Sequence, residues 1–321
     1  MSTDTNSESM MPLRIAAAAD AADGIRSFTL VHPNGSELPA FTPGSHVSVR
    51  VPSGALRKYS LCNDPADRWR YIITVKRDAQ GQGGSVSLVD HAQVGDTLPT
   101  SQPDNAFELV DSSAGYLFVA GGIGITPILS MIRSFGELPP APWKLHYFTR
   151  SPETTAYLDE LTSPELRANV DIHHDYGDPA QSFDLWPVLE RPSSKHIYCC
   201  GPRGLMEAVR DMSGHWAPAN VHFESFNAGG GVRPDDQPFS VRLKSGASFQ
   251  VPVGQSILQV LREGGCVLPS SCESGTCGSC KTGLLEGEAD HRDMVLMPEE
   301  METQIMVCVS RAKSAELVLD V

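Results

Sequence analysis

Three cysteines near the C-terminus, Cys272, Cys277 and Cys280, lie in the segment SCESGTCGSC, which holds small residues and hardly any apolar ones. A fourth cysteine, Cys308, follows downstream in QIMVCVSR. Clustered thiols in a reducing compartment usually bind a metal or do redox chemistry, and disulfides are the weaker interpretation there. The spacing of the four cysteines indicates which group they bind.

The pattern C-x4-C-x2-C with a distant fourth cysteine is typical of a plant-type [2Fe–2S] cluster. We predict that Cys272, Cys277, Cys280 and Cys308 are its ligands. Gly275 and Gly278 would let the loop wrap the cluster, so that backbone N–H groups reach its sulfurs. Structural zinc is the alternative, but zinc sites more often pair two C-x2-4-C knuckles, and this sequence has one.

The sequence around these cysteines predicts a small α+β (β-grasp) ferredoxin domain over residues 238–321. The stretch FSVRLKSGASFQVPV alternates like a β-hairpin, and QSILQVLREGG predicts a short amphipathic helix. AELVLDV predicts the closing strand. Before this domain, residues 228–237 are rich in glycine, proline and aspartate, which is typical of an interdomain linker.

The central segment YLFVAGGIGITPILSMIRSF predicts a strand, a glycine loop and a helix. The loop contains Gly122 and Gly124 in the pattern G-x-G-x-x-P, with Thr126 at an expected N-cap and Pro127 at the first helical position. A helix N-terminus beside such a loop suits a dinucleotide pyrophosphate. Glycine also serves tight strand–helix packing, so this loop by itself does not decide between the two interpretations.

Further strands and helices follow: WKLHYFTR, DIHHDYGD, KHIYCCGP and the helix RGLMEAVRDM. This alternation predicts a parallel sheet over residues 113–227. Cys200 lies at the C-terminal end of a strand, where ligands bind in such sheets, and is a candidate wall for a nicotinamide ring. The alternative is a buried core thiol, which we assign to Cys199 on the opposite face. Arg150 could accept a 2′-phosphate, so these residues do not choose between NADH and NADPH.

The first third of the chain predicts an antiparallel barrel over residues 11–112, built from short strands that include RKYSLCND, WRYIITVKRD and GSVSLVDH. Two stretches carry candidate chemistry: RKYS, with Arg57, Tyr59 and Ser60, and VKRDAQGQGGS, with Lys76 and a Gly83–Gly84–Ser85 turn. Basic side chains and the backbone N–H groups of the turn would bind a phosphate. An ordinary surface hairpin explains the spacing equally well.

Composition narrows the classes of partner. The chain has 321 residues and a formal net charge of −14, which argues against nucleic acid and anionic membranes as partners. Residues 1–10 form a polar segment with no apolar signal region, for which we expect disorder. The apolar stretch YLFVAGGIGITPILSMI is interrupted by glycines and a Thr-Pro pair. We therefore do not expect this stretch to span a membrane, and we expect the protein to be a cytoplasmic monomer.

In this order, the motifs resemble those of the flavin reductases that are built like ferredoxin–NADP reductase and carry a C-terminal ferredoxin. RKYSLCNDP is similar to the flavin motif R-x-Y-S of that family. GGIGITPILSM and YCCGPRGLM are similar to its nicotinamide motifs, and CESGTCGSC with Cys308 is similar to its cluster motif. The resemblance covers nearly the whole chain and is most specific in SSCESGTCGSCKTGLLEGEADHRDMVL and QIMVCVSRAKSAELVLDV.

The resemblance implies FMN, NADH and a [2Fe–2S] cluster as cofactors. It implies that the following residues bind FMN: Arg57, Lys58, Tyr59, Ser60, Thr74, Val75, Lys76, Gly83, Gly84, Ser85, Thr126 and Phe226. The nicotinamide nucleotide would lie along Gly122, Gly124, Cys200, Gly201 and Pro202, with Asp175 at a ribose hydroxyl and Glu224 beside Cys200 in the nicotinamide pocket.

The function implied is a relay from NADH through FMN and the cluster to a partner. NADH gives two electrons as hydride, whereas a [2Fe–2S] cluster takes one at a time, and a flavin converts between the two modes. The chain has no C-x-H pair for a Rieske centre, so the substrate would be oxygenated on another protein. The resemblance implies a Rieske-type oxygenase acting on phthalate. The alternatives are a different aromatic oxygenase, an O-demethylase of the vanillate type, and a redox-sensing module without turnover.

Overall fold

The structure is a computed structural model that describes residues 10–81, 83–226, 233 and 235–321. The chain divides into two compact units at the boundary between His222 and Phe223. Our division into barrel, nucleotide domain, linker and ferredoxin domain is finer than this and stays a prediction. Residues 1–9 of the predicted N-terminal segment and residues 228–232 and 234 of the predicted linker lie outside the described residues. Within the described ranges, no helix is long and apolar enough to cross a membrane.

The first unit begins with a six-stranded antiparallel sheet in the order β4-β3-β6-β1-β2-β5. A bridge between Leu61 and Ile73 joins its two edges, which confirms the predicted barrel. Apolar side chains that alternate along these strands fill the barrel. The strands are β1 (Met11–Ala22), β2 (Ile25–Val31), β3 (His46–Arg50), β4 (Leu56–Ser60), β5 (Tyr71–Lys76) and β6 (Thr97–Thr100).

One predicted barrel strand is wrong. GSVSLVDH forms an α-helix, α1 (Gly84–His91), rather than a strand. Its buried residues are Gly84, Ser87 and Leu88, which share one helical face at the i, i+3, i+4 spacing. The alternation of serine and valine in this short stretch suggested a strand, but which residues become buried depends on the barrel against which the segment packs.

The first unit also contains a sheet in the order β11-β10-β7-β8-β9, in which β10, β7, β8 and β9 are parallel and the boundary between the two units falls within β11. This confirms the predicted α/β sheet. Strand β7 is buried along its whole length, as expected for the centre of a sheet covered on both faces. The strands are β7 (Tyr116–Gly121), β8 (Trp143–Thr149), β9 (Val170–His174), β10 (His196–Cys200) and β11 (Val221–Glu224). The helices are α2 (Ile125–Ser134), α3 (Leu158–Leu161), α4 (Trp186–Leu189) and α5 (Arg203–Met212).

The second unit holds a five-stranded mixed sheet in the order β13-β12-β18-β14-β16, a two-stranded sheet of β15 and β17, and one helix, α6 (Ile257–Glu263), among its described residues. The predicted hairpin, helix and closing strand are confirmed, and Ser256 caps α6 by accepting the N–H of Gln259. The strands are β12 (Phe239–Leu243), β13 (Ser248–Val251), β14 (Lys281–Glu286), β15 (Ala289–Asp290), β16 (Gln304–Met306), β17 (Arg311–Ala312) and β18 (Glu316–Leu319).

A buried ion network ties the residues before β12 to this second unit. The carboxylate of Asp236 pairs with Arg292, and both side chains are 3% exposed. Asp236 also lies 3.7 Å from Arg311, and Arg292 pairs with Asp290. The last residues of the predicted linker are therefore packed against the ferredoxin fold.

Candidate functional site

The flavin motif R-x-Y-S lies on β4, where strand alternation places Arg57 and Tyr59 on one face and exposed Lys58 on the other. Arg57 lies beside the first residue of α1, because a Cβ added at Gly84 would be 2.7 Å from its Nε atom. A guanidinium and the positive end of a helix dipole lie side by side here, and an anion between them would relieve their repulsion. This geometry suits a phosphate.

The buried hydroxyl of Tyr59 is a second feature that would suit a bound polar group. Its hydroxyl oxygen is buried and has no hydrogen-bond partner within the described chain. Burial raises the pKa of Tyr59 to about 12, against the charge of Arg57, which lowers it. A buried hydroxyl without a partner is costly, and a bound polar group would satisfy it.

Further predicted flavin residues lie on β5 and at the start of α1. Thr74 and Val75 on β5 are buried, whereas Lys76 at its end is exposed. Gly83 has φ +77° and precedes α1, so the predicted Gly-Gly-Ser turn is a helix N-terminus. The hydroxyl of Ser85 accepts the backbone N–H of Asp78 at 3.1 Å, which ties the start of α1 to the end of β5.

The glycine loop and the CCGP segment meet at adjacent ends of β7 and β10. A Cβ at Gly124 would lie 2.2 Å from the carbonyl oxygen of Cys200, and one at Gly121 would lie 2.5 Å from Pro202. The chain leaves β7 for β8 on one side and reaches β10 on the other, so these two strand ends form a topological switch point. Open α/β sheets bind ligands in that crevice.

The structure corrects one detail of this loop. Thr126 is not an N-cap, because α2 already begins at Ile125 after a 3-10 turn over Gly122–Gly124. The hydroxyl of Thr126 donates to the carbonyl of Ile123 at 3.0 Å instead of accepting an N–H. The helix therefore begins two residues earlier than the N-cap preference of threonine suggested, with Gly124 as its N-cap.

Sequence reasoning missed Tyr147, which holds the glycine loop from β8. Its hydroxyl donates to the carbonyl of Gly122 at 3.0 Å, and burial raises its pKa. The available signal was a tyrosine inside an apolar strand, since a buried tyrosine hydroxyl usually needs a partner.

The remaining predicted nucleotide residues stay predictions. Cys200 is completely buried in the apolar cluster of the parallel sheet. Asp175 follows β9, and its carboxylate accepts the N–H of Gly177 at 2.8 Å. Glu224 and Phe226 belong to the second unit, where the ring of Phe226 is 46% exposed.

The four predicted cluster ligands stand as two pairs of thiols. The sulfurs of Cys280 and Cys308 are 3.0 Å apart, and both residues are buried. Cys272 and Cys277 form the second pair, in which Cys277 is exposed. Gly275, with φ +77°, lets the loop between them turn, and its backbone faces Asp293 and Val309.

Each pair favours one thiolate. A hydrogen bond from Cys277 lowers the pKa of Cys272, against burial, with help from the backbone N–H groups of Ser274 and Thr276. The hydrogen bond between the Cys280 and Cys308 side chains likewise lowers the pKa of Cys280. Metal ligands must lose their protons, so surroundings that donate to sulfur fit an iron–sulfur group.

Comparisons with known proteins agree with this geometry. Residues 241–313 match the family model of the 2Fe-2S iron-sulfur cluster binding domain. The chain is 54% identical over 310 residues to the phthalate 4,5-dioxygenase oxygenase reductase subunit of Pseudomonas putida, with 96% of both chains covered. It is 53% identical over 320 residues to the phthalate dioxygenase reductase of Burkholderia cepacia, with 99% of both chains covered.

A solved structure extends the similarity to the fold. It is described as phthalate dioxygenase reductase, a modular structure for electron transfer from pyridine nucleotides to [2Fe-2S]. The two folds align with a TM-score of 0.74 at 54% sequence identity, over 98% of each chain. The resemblance predicted from the motifs is thus confirmed, and the chain belongs to the phthalate dioxygenase reductase family.

Proposed function

We propose that this protein is an NADH-dependent reductase that uses FMN and a [2Fe–2S] cluster to deliver electrons to a Rieske-type oxygenase acting on phthalate. The observation that carries the proposal is that one chain combines a glycine loop packed against Cys200–Pro202 at adjacent strand ends with two thiol pairs in a matched cluster-binding domain. The crevice suits a two-electron donor and the thiol pairs suit a one-electron acceptor. The names of the relatives support the choice of partner.

On the flavin side, Arg57 and the N-terminus of α1 would hold the phosphate, and Lys76 would add charge at the end of β5. Tyr59 would donate its buried hydroxyl to the bound group. When bound, FMN accepts hydride from NADH and passes electrons on singly. Ser60, Thr74, Val75, Thr126 and Phe226 would line the flavin.

On the nucleotide side, Gly122 and Gly124 would let the pyrophosphate approach the N-terminus of α2. Gly201 and Pro202 would form the opposite wall, with Cys200 and Glu224 shaping the nicotinamide pocket and Asp175 binding a ribose hydroxyl. None of these side chains has to act as an acid or base, because their work is to bind and orient the cofactors. We propose NADH rather than NADPH as the donor, although Arg150 follows β8.

At the cluster, Cys272, Cys277, Cys280 and Cys308 would supply the four thiolates. The observed pairs, Cys272 with Cys277 and Cys280 with Cys308, suggest one pair for each iron. Backbone N–H groups of the loop would then stabilise negative charge on the sulfurs, as the N–H of Ser274 already does for Cys272 at 3.4 Å.

We also propose that the protein works as a monomer in the cytoplasm, where reducing conditions keep the thiols available. Its net charge of −14 would steer it toward a basic patch on the oxygenase.

An anaerobic titration with NADH tests the proposal. The purified protein is expected to show flavin and iron–sulfur absorption that bleach together on adding one equivalent of NADH, and to release FMN on denaturation. Arg57→Ala should lose FMN. Mixing the reduced protein with a phthalate dioxygenase then tests the partner. Iron–sulfur absorption without flavin, or no bleaching by NADH, would instead support the sensing module.

A further inference from the structure

The C-terminal half of helix α2, which lies away from the glycine loop, is hydrogen-bonded to the segment that contains the flavin motif. Near its C-terminal end, the hydroxyl of Ser130 donates to the carbonyl of Asn63 at 2.9 Å, and Nη1 of Arg133 donates to the carbonyl of Cys62 at 2.6 Å. Cys62 and Asn63 follow β4, which carries R-x-Y-S. An α-helix is stiff and rises about 1.5 Å per residue. Helix α2 therefore holds the glycine loop at a fixed distance from the residues that follow β4.

A second connection reaches β5. The hydroxyl of Tyr157 lies 2.5 Å from Oγ1 of Thr74 and 3.2 Å from Sγ of Cys62. Both partners are almost fully buried, at 4% and 0% exposure. Buried hydrogen bonds hold their geometry firmly because water does not compete for them.

Arg133 links the two connections. Its guanidinium lies 5.1 Å from the ring centroid of Tyr157, and it forms a bidentate pair with Glu160 on α3. It therefore holds the ring of Tyr157 while also bonding to Cys62. We refer to Arg133, Tyr157, Cys62 and Thr74 as the clamp.

The backbone conformation of Tyr157 indicates that the surrounding structure constrains this residue. Its φ is 62°, in the left-handed region that a bulky residue rarely adopts. Such a conformation persists where the surroundings fix it, and it is common at sites whose geometry matters for function. The side chain is held by Arg133, Thr74 and Cys62, and its hydroxyl also interacts with Ser27.

We propose that Arg133 and Tyr157 are positioning residues for hydride transfer, because the clamp fixes β4 and β5 relative to the glycine loop. This inference rests on the proposed function. The reaction moves a hydride from NADH to the flavin and leaves NAD⁺ and two-electron-reduced flavin. Its reacting atoms must lie about 3–3.5 Å apart, and a displacement of about 1 Å can cost about 100-fold in rate. The clamp would thus set the distance between the strands proposed to bind FMN and the loop proposed to bind NADH.

The test uses Tyr157→Phe, which removes the hydroxyl, and Arg133→Lys, which keeps the charge and removes the forked geometry. In rapid mixing with saturating NADH, we expect flavin reduction to slow about 10- to 100-fold. The isotope effect with 4-deuterated NADH should become larger. FMN content, the Kd for NADH and reduction by dithionite should stay within about twofold of wild type, because no contact to either cofactor is removed.

Two control variants make the same kinds of substitution at residues whose contacts lie within the barrel and do not reach the parallel sheet. Tyr71→Phe removes another buried tyrosine hydroxyl, which donates to Pro39 inside the barrel at 2.5 Å. Arg70→Lys alters an arginine that pairs with Asp67 at 2.5 Å on the barrel surface. Both controls should reduce their flavin at the wild-type rate.

Amide hydrogen exchange gives a readout that is independent of turnover. In the clamp variants, residues 62–63 and 130–134 should exchange faster than in wild type and in the controls. Wild-type rates of flavin reduction in both clamp variants, or equal slowing in the controls, would overturn the inference. Failure of the proposed function would look different, since the wild-type protein itself would then bind no flavin or resist reduction by NADH.

Discussion

Arg57 on β4 and Gly84 at the start of α1 lie side by side although they are 27 positions apart in the chain: a Cβ at residue 84 would be 2.7 Å from Nε of Arg57. The absence of a side chain at this position lets the guanidinium reach the N-terminus of a helix. Both groups are positive, so their closeness indicates a site for an anion.

Gly84→Ala tests that relationship. The new methyl group would push Arg57 away from the helix N-terminus, so FMN affinity should fall by about tenfold, the equivalent of one lost charge-assisted hydrogen bond. The fold should not suffer, since alanine favours a helix over glycine by about 1 kcal/mol. Flavin fluorescence titration and thermal unfolding would separate the two effects. Gly204→Ala is the matched control, because it changes a helical glycine with open space around it. Unchanged FMN affinity in Gly84→Ala would refute the proposed phosphate site.

Tyr59→Phe should act in opposite directions on the flavin-free and flavin-loaded protein. Without flavin, removing a buried hydroxyl that lacks a partner should raise the free energy of unfolding by about 1 kcal/mol. With FMN, the lost hydrogen bond should weaken binding by a similar amount. Urea unfolding with and without FMN measures both effects. A variant that is destabilised in both states would show that the hydroxyl already has a partner in the protein.

Cys308→Ser should abolish the cluster but spare reduction of the flavin by NADH. Cys308 would supply a thiolate from outside the loop that carries the other three cysteines, and serine is a poor substitute for a soft sulfur ligand. Iron and sulfide content, visible absorption and cytochrome c reduction check the outcome. Cys266→Ser, which changes a cysteine outside the predicted ligand set, should leave all of these intact. A normal cluster in Cys308→Ser would remove this residue from the ligand set.

Asp236→Asn should destabilise the second unit in a pH-dependent way. Burial by itself raises the pKa of Asp236, but hydrogen bonds and charge from Arg292, with the N–H of Arg233 and the charge of Arg311, lower it overall. The carboxylate therefore stabilises the fold above its ordinary pKa of about 3.9, and this contribution is lost as the pH falls through the lower pKa of the folded state. At pH 7 the variant should lose about 3 kcal/mol, because buried arginines lose a partner.

Because acid releases the sulfide of an iron–sulfur cluster, denaturant unfolding followed by far-ultraviolet circular dichroism would measure this loss at pH 7 and again below about pH 4. The difference between wild type and Asp236→Asn should shrink in acid. Asp235→Asn, at the exposed neighbouring position, should match wild type at both values. If the difference in unfolding free energy does not change with pH, Asp236 stabilises the fold through its packing rather than through its charge.

Much of the fold was predictable because each element has a local signature. The hairpin of β12 and β13, the strand–loop–helix at Gly122 and the helix after Cys200 all follow from alternation, glycine placement and helical periodicity. Where local signals were ambiguous, the prediction failed. Residues 84–91 carry a serine–valine alternation that suits a strand, yet the barrel buries them at helical spacing.

By itself, the sequence determined the order of the parts and the candidate ligands, since cysteine spacing and glycine loops are constraints within short stretches of chain. Only the tertiary structure decided that Arg57 meets the N-terminus of α1 and Tyr157 meets Thr74, and that Cys308 pairs with Cys280 in particular among the predicted ligands. Such meetings depend on how whole sheets and helices pack, and packing is fixed by the summed burial of many side chains rather than by any local pattern.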